Sequence, residues 1–207
     1  MQTEQNRHVI TMDVINSKKE RLISQTIREK LSKLNDQGFE FAPALSRGDE
    51  IQCVVASDKN PFSVIRAIRF ALLPYKLKIG IGIGEIEIPE AVRDSWDLSG
   101  EAFFRAREAL EDLSGSDETC LKLSSGLSTK DLAINSILTL MNLIMNDWTI
   151  TQFNYVMAYE RYGTYENSAE ALNVSSQNIH KACKRAKWDV VKQIEGNLNQ
   201  LMNKREW

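Results

Sequence analysis

Cysteine is scarce in this sequence, and what there is does not pair. Cys53, Cys120 and Cys183 are odd in number and far apart, and no Cys-x-x-Cys occurs. That spacing argues against a disulfide framework, and the two histidines, His8 and His180, supply no zinc-ligand spacing. Long apolar runs are missing too. No stretch of about 18 apolar residues occurs, so no membrane-spanning helix is expected. The opening Met1-Gln2-Thr3-Glu4-Gln5-Asn6 is polar and has no apolar signal core. The expectation is a cytoplasmic protein of a reducing compartment, without a membrane partner. An excess of one charge is also lacking: 26 Lys and Arg stand against 28 Asp and Glu over 207 residues, a net charge of −2. No global field draws the chain to nucleic acid or to a lipid surface. The balance is uneven along the chain, however. From Thr149 onward eight basic residues face six acidic ones, and the remainder carries 18 against 22.

What is present is an alternation of short strands and helices, followed by helices alone. His8-Val9-Ile10-Thr11-Met12-Asp13-Val14 reads as a first strand ending in an acid. Asn16-Ser17 breaks it, and Leu22, Ile23, Ile27, Leu31 and Leu34 give a helix over about 18–34 its apolar face. Two strands joined by a tight turn at Ser46-Arg47-Gly48-Asp49-Glu50 span about 39–56. Asn60-Pro61 opens a helix that Pro74 stops. In Leu77–Ile86 isoleucine alternates with Gly80, Gly82 and Gly84, which predicts a strand with one packed and one bare face, the bare one open to close approach by a ligand or a helix. A helix over about 99–113 and a weak strand at 119–123 complete a β-α-β-β-α-β-α-β order. That order predicts an α+β ferredoxin-like sandwich with an extra α-β unit, over residues 1–126.

Beyond Ser124–Ser128 nothing reads as strand, and residues 127–207 form a second, all-α part. The segment 132–145 is apolar around most of its circumference and is expected to be buried on more than one side, between domains or in a homodimer. Further on, Ala169 and Leu172 lie on one short helix, Val174 sits in a turn, and Ser175 starts a second helix carrying Ile179 and Ala182. This is the spacing of a helix-turn-helix, whose second helix enters the major groove. Ser176, Gln177 and Asn178 are placed to read base edges, and Lys181, Lys184, Arg185 and Lys187 to hold phosphates. DNA is the expected partner. An ordinary helical hairpin with a solvated basic face is the plainer alternative.

Several stretches resemble the SatD family of bacterial proteins, over nearly the whole chain. They are Asp13-Val14-Ile15-Asn16-Ser17-Lys18, Arg47-Gly48-Asp49-Glu50-Ile51-Gln52, Ile79-Gly80-Ile81-Gly82-Ile83-Gly84-Glu85, Gly100-Glu101-Ala102-Phe103-Phe104-Arg105-Ala106-Arg107 and the tail just described. The resemblance implies a cytoplasmic, DNA-binding role. The front half also resembles, more distantly, the class III and GGDEF nucleotidyl cyclases. In that cyclase-like fold a carboxylate after the first strand and another on the central hairpin converge on magnesium. The matching positions here are Asp13 and Asp49, so the resemblance implies a Mg²⁺ site with a nucleotide effector. Ser17, Lys18, Gly48 and Glu50 join these two as candidate ligand contacts. The asparagine and arginine that stabilise the cyclase transition state fall on Phe104 and Glu108, with Arg107 one residue out of place. The first GGDEF glycine is Arg47 and its final aromatic is Ile51. Cyclase chemistry is therefore not expected; a metal-dependent nucleotide-binding or nucleotidyl-transfer enzyme using Asp13 and Asp49, and a protein-interaction module without DNA binding, are the alternatives.

Overall fold

The computed structural model describes residues 6–16, 23–34, 38–46, 49–56, 58–116 and 118–203. The chain is α+β: a five-stranded mixed sheet followed by helices. Strand β1 (Arg7–Val14) lies at its centre, antiparallel to β3 (Glu50–Val55) on one side and to β4 (Leu77–Gly84) on the other. β2 (Phe39–Leu45) pairs antiparallel with β3 through an irregular register, and β5 (Cys120–Ser124) pairs parallel with β4. The order is β2-β3-β1-β4-β5. Helix α1 (Ile23–Leu31) joins β1 to β2, α2 (Pro61–Leu72) joins β3 to β4, and α3 (Glu101–Glu111) joins β4 to β5. The first predicted helix is thus described over its central part, 17–22 lying outside the described residues.

Both faces of the sheet are covered, which is why its central strands read as near-continuous apolar runs rather than alternating ones. Ile10, Met12 and Val14 of β1 turn to one face and pack with Ile27 and Leu31 of α1 and Phe62, Ile65 and Ile68 of α2. Val9 and Val54 turn to the other and pack with Ala102 and Ala106 of α3. The bare face of β4 is filled by this helix. A Cβ on Gly80 would stand 2.1 Å from the Ala106 carbonyl oxygen, and one on Gly82 would stand 1.9 Å from that of Ala102. Glycine on the strand and alanine on the helix let the two backbones meet.

The helical half begins with α4 (Ser128–Asn146), longer at its start than the 132–145 expected. It runs along the outer edge of β5 and supplies the edge with amides. Asn135 accepts from Leu123 N–H at 2.7 Å and donates to Leu123 C=O at 2.8 Å, and the amides of Asn142 and Asn146 both donate to Thr119 C=O. An open strand edge is thereby closed. The second side expected to be buried, between domains or in a homodimer, is not covered by the described residues of the chain. Ile134, Leu138, Met141 and Met145 are buried, but Leu132, Leu140 and Leu143 are 70%, 64% and 61% exposed.

Four further helices follow: α5 (Ile150–Tyr162), α6 (Tyr165–Leu172), α7 (Ser176–Arg185) and α8 (Trp188–Asn203). Their ends are written in the sequence. Thr149 and Gln152 form a reciprocal capping box for α5, and Gly163 ends it in the left-handed region. Thr164 caps α6, Asn173 terminates it at φ 53°, and Ser175 caps α7. One apolar cluster runs from the sheet through α4 into α5, α7 and α8. Among the described residues no helix is long and apolar enough to cross a membrane.

Candidate functional site

Asp13 lies in β1 directly across from Glu50 of β3 and Lys78 of β4. Cross-strand partners share a face, and these three project on the side covered by α3. Arg107, from α3, reaches Glu50 with two contacts, Nη1 to Oε2 at 2.8 Å and Nη2 to Oε1 at 2.6 Å. Asp49 completes the group from the start of the hairpin strand. The result is a cleft of about 630 Å³ whose described lining holds four carboxylates, Asp13, Asp49, Glu50 and Glu111, and two cations, Lys78 and Arg107.

Burial, and then the charge of Asp49, hold the Asp13 carboxyl above the usual carboxylate range, with Lys78 opposing and a hydrogen bond between the two aspartates adding to the rise. Glu50 is also raised by burial, which outweighs the opposing pull of Arg107. Two carboxylates this close are held together by a shared proton or by a cation. Among the described residues no group of three or more His, Cys, Asp and Glu is arranged to hold a metal ion. A cation on Asp13 and Asp49 would complete its shell with water or phosphate oxygens, which suits magnesium, a metal commonly held by one or two carboxylates. Of the other candidate contacts, Glu50 lines the cleft, and Ser17, Lys18 and Gly48 lie outside the described residues. The cyclase-type positions are occupied otherwise. Phe104 is 79% exposed to solvent, Glu108 is exposed and accepts from Ser124 Oγ, and Arg107 is engaged by Glu50.

The basic residues of the tail gather on α7. Ile179 and Cys183 turn inward, while Gln177, Asn178, Lys181, Lys184 and Arg185 are exposed, as is Lys187 just beyond the helix. Ser176, at the start of the helix, is half-buried. Helix α5 packs against both α6 and α7. Between α5 and α7 opens a groove of about 500 Å³, lined by Thr151, Gln152 and Tyr155 on one side and Asn178, Lys181 and Arg185 on the other. Among the described residues no carboxylate lines it. His180 is exposed and meets Tyr165 edge-on, with ring centroids 5.1 Å apart.

Sequence reasoning passed over Lys78 and Glu111 and read Arg107 as misplaced. Their roles depend on strand register and on where α3 crosses the sheet. The α5 wall of the groove was also missed, although its capping box, Thr149-x-x-Gln152, is a legible helix start.

The SatD family model matches residues 8–196, and the chain belongs to the SatD family. Comparison with curated proteins finds no match. Among solved structures, the crystal structure of the regulator of polyketide synthase expression from Bifidobacterium adolescentis is similar at 16% identity, covering 99% of this chain and 84% of that one, with a TM-score of 0.28.

Proposed function

We propose that this SatD-family chain is a regulator that binds duplex DNA through α6 and α7, acting as a helix-turn-helix, with an effector-binding or dimerisation unit at its front. The observation that carries the reading is the division of α7. Its apolar residues Ile179 and Cys183 are buried and its Gln177, Asn178, Lys181, Lys184 and Arg185 are presented to solvent. A three-residue turn, Asn173–Ser175, separates it from α6, the spacing at which two short helices cross closely. Amides near the start of the helix suit base edges and cations further along suit phosphates. Selection of duplexes from a random pool is the test. Enrichment of a motif that Gln177→Ala or Asn178→Ala degrades is expected, and a pool that stays random with the wild type contradicts the reading.

For the front unit, the order β2-β3-β1-β4 with antiparallel neighbours and helices after β1 and β3 supports a ferredoxin-like, cyclase-like reading, with α3 and β5 as the added α-β unit. Its cleft is the effector site in this account. Among the described lining residues carboxylates outnumber cations, which disfavours a bare anion and favours one that arrives with a divalent cation, so a nucleotide with Mg²⁺ on Asp13 and Asp49 fits its chemistry. Thermal unfolding with Mn²⁺ and nucleotides should show a stabilisation that is lost in Asp13→Asn/Asp49→Asn. A ligand at a hundredfold its dissociation constant adds about 2.7 kcal/mol, and an unchanged transition in every combination removes the effector role. Self-association through the exposed leucines of α4 would bring two copies of α7 to successive major grooves.

A further inference from the structure

Away from both sites, at the junction of α2, α4 and α5, a buried guanidinium has no carboxylate in contact among the described residues. Arg69, in the last turn of α2, is buried. Its Nη1 donates to Asn142 Oδ1 at 3.0 Å and lies 3.7 Å from Met145 Sδ. Its Nη2 donates to Asn146 Oδ1 at 2.9 Å, and the Phe153 ring lies 5.8 Å from its central carbon. All four partners are neutral. Arg66, one turn earlier, is bidentate to Glu195 and 2.8 Å from Glu160, and Glu195 acts on Arg69 only through space. Burial pushes the Arg69 pKa down to about 10, which leaves the group charged at neutral pH. A buried cation held by amides and an aromatic ring, with donors to spare, is the condition that an anion relieves.

Beside Arg69 lies a cavity of about 130 Å³, walled by Trp148 and Phe153 and carrying Lys76 and Glu118 among its lining residues. Lys76 and Glu118 are ion-paired and exposed. We propose that this cavity binds one small tetrahedral oxyanion of the phosphate or sulfate class, with Arg69 as its main ligand and Lys76 as the second charge. The volume suits such an ion. It equals about four waters at their share of the liquid and falls below the roughly 300 Å³ at which pockets for larger organic ligands begin. An ion there would touch residues of both halves of the chain, α2 from the front and α4 and α5 from the back, and so bind the folded state alone.

Thermal unfolding at constant ionic strength tests this, with phosphate or sulfate replacing chloride. The wild type should gain stability with rising oxyanion concentration, following mass action on the native state. Arg69→Gln should abolish the gain. Because a buried substitution can itself unfold the chain, the surface pair gives an independent reading. Lys76→Gln should weaken the apparent affinity roughly fivefold, and Glu118→Gln should tighten it by a similar factor, the effect of one unit charge a few ångströms away. Equal stability in phosphate, sulfate and chloride overturns the proposal and leaves the cavity to water. An oxyanion gain that neither surface variant moves overturns it as well, since the ion then sits elsewhere.

Discussion

Burial acts on His8 and Asp13 in opposite directions. His8, in β1, is 2% exposed, its Nδ1 has no hydrogen-bond partner among the described residues, and burial lowers its pKa from 6.5 to about 4. Folded, it stays neutral, while the unfolded chain takes up a proton below pH 6.5. Stability from this residue is therefore fully present above pH 6.5 and declines as pH falls towards 4, by about 3 kcal/mol in all. Urea unfolding across that window should show the decline in the wild type and a flatter profile in His8→Leu; parallel profiles contradict it. Burial makes the charged form of Asp13 costly as well, but for a carboxyl that form is the deprotonated one, so its pKa rises and its contribution to stability is lost as pH rises instead. Asp13 and Asp49 were legible in the sequence as a strand-end acid and a turn acid. Lys78 and Arg107 were not, because one meets Asp13 only through the register of β1 with β4 and the other meets Glu50 only through the crossing of α3. Neither is encoded in local spacing.

At the scale of elements, the contact between β4 and α3 is the tightest constraint on the cleft. Gly82→Ala would place a methyl against the α3 backbone, which has no room to yield without moving the helix that carries Arg107. A destabilisation of about 3 kcal/mol is expected, measurable by urea unfolding, together with weaker ligand response in the cleft. A neutral substitution would mean that α3 does not lie where described. The isoleucine-glycine alternation announced a close approach, but a bare strand face does not say whether a ligand or a helix fills it. Helix α4 presents the opposite difficulty. Its apolar content hid two faces, one packed on β5 and one an exposed row of Leu132, Leu140 and Leu143. Leu138 belongs to the packed face, so its substitution tests folding. Leu140→Asp is the informative variant for self-association. It should convert a dimer to a folded monomer in sedimentation analysis, and an unchanged mass removes this face as the contact.

Across the whole molecule, the change from strands to helices near residue 126 marks a change of structural class, while the packing continues through it. Arg66, 2% exposed, joins α2 of the front to Glu160 of α5 and Glu195 of α8, and its guanidinium lies 4.5 Å from the Trp188 ring centroid. A charge network of this kind reads as unrelated residues in sequence, since Arg66 and Glu195 are 129 positions apart. The basic face of α7 was readable in advance because it needs only one helix and its caps. The same face carries the proposed DNA contact in a molecule whose net charge is −2, so that contact would depend on local charge. The most direct measurement is the affinity for a duplex as a function of salt. On this account log K falls linearly with log salt, and Lys181→Ala or Lys184→Ala each reduce the slope by about 1 with the fold intact. An affinity independent of salt, or a slope that neither lysine changes, would contradict it.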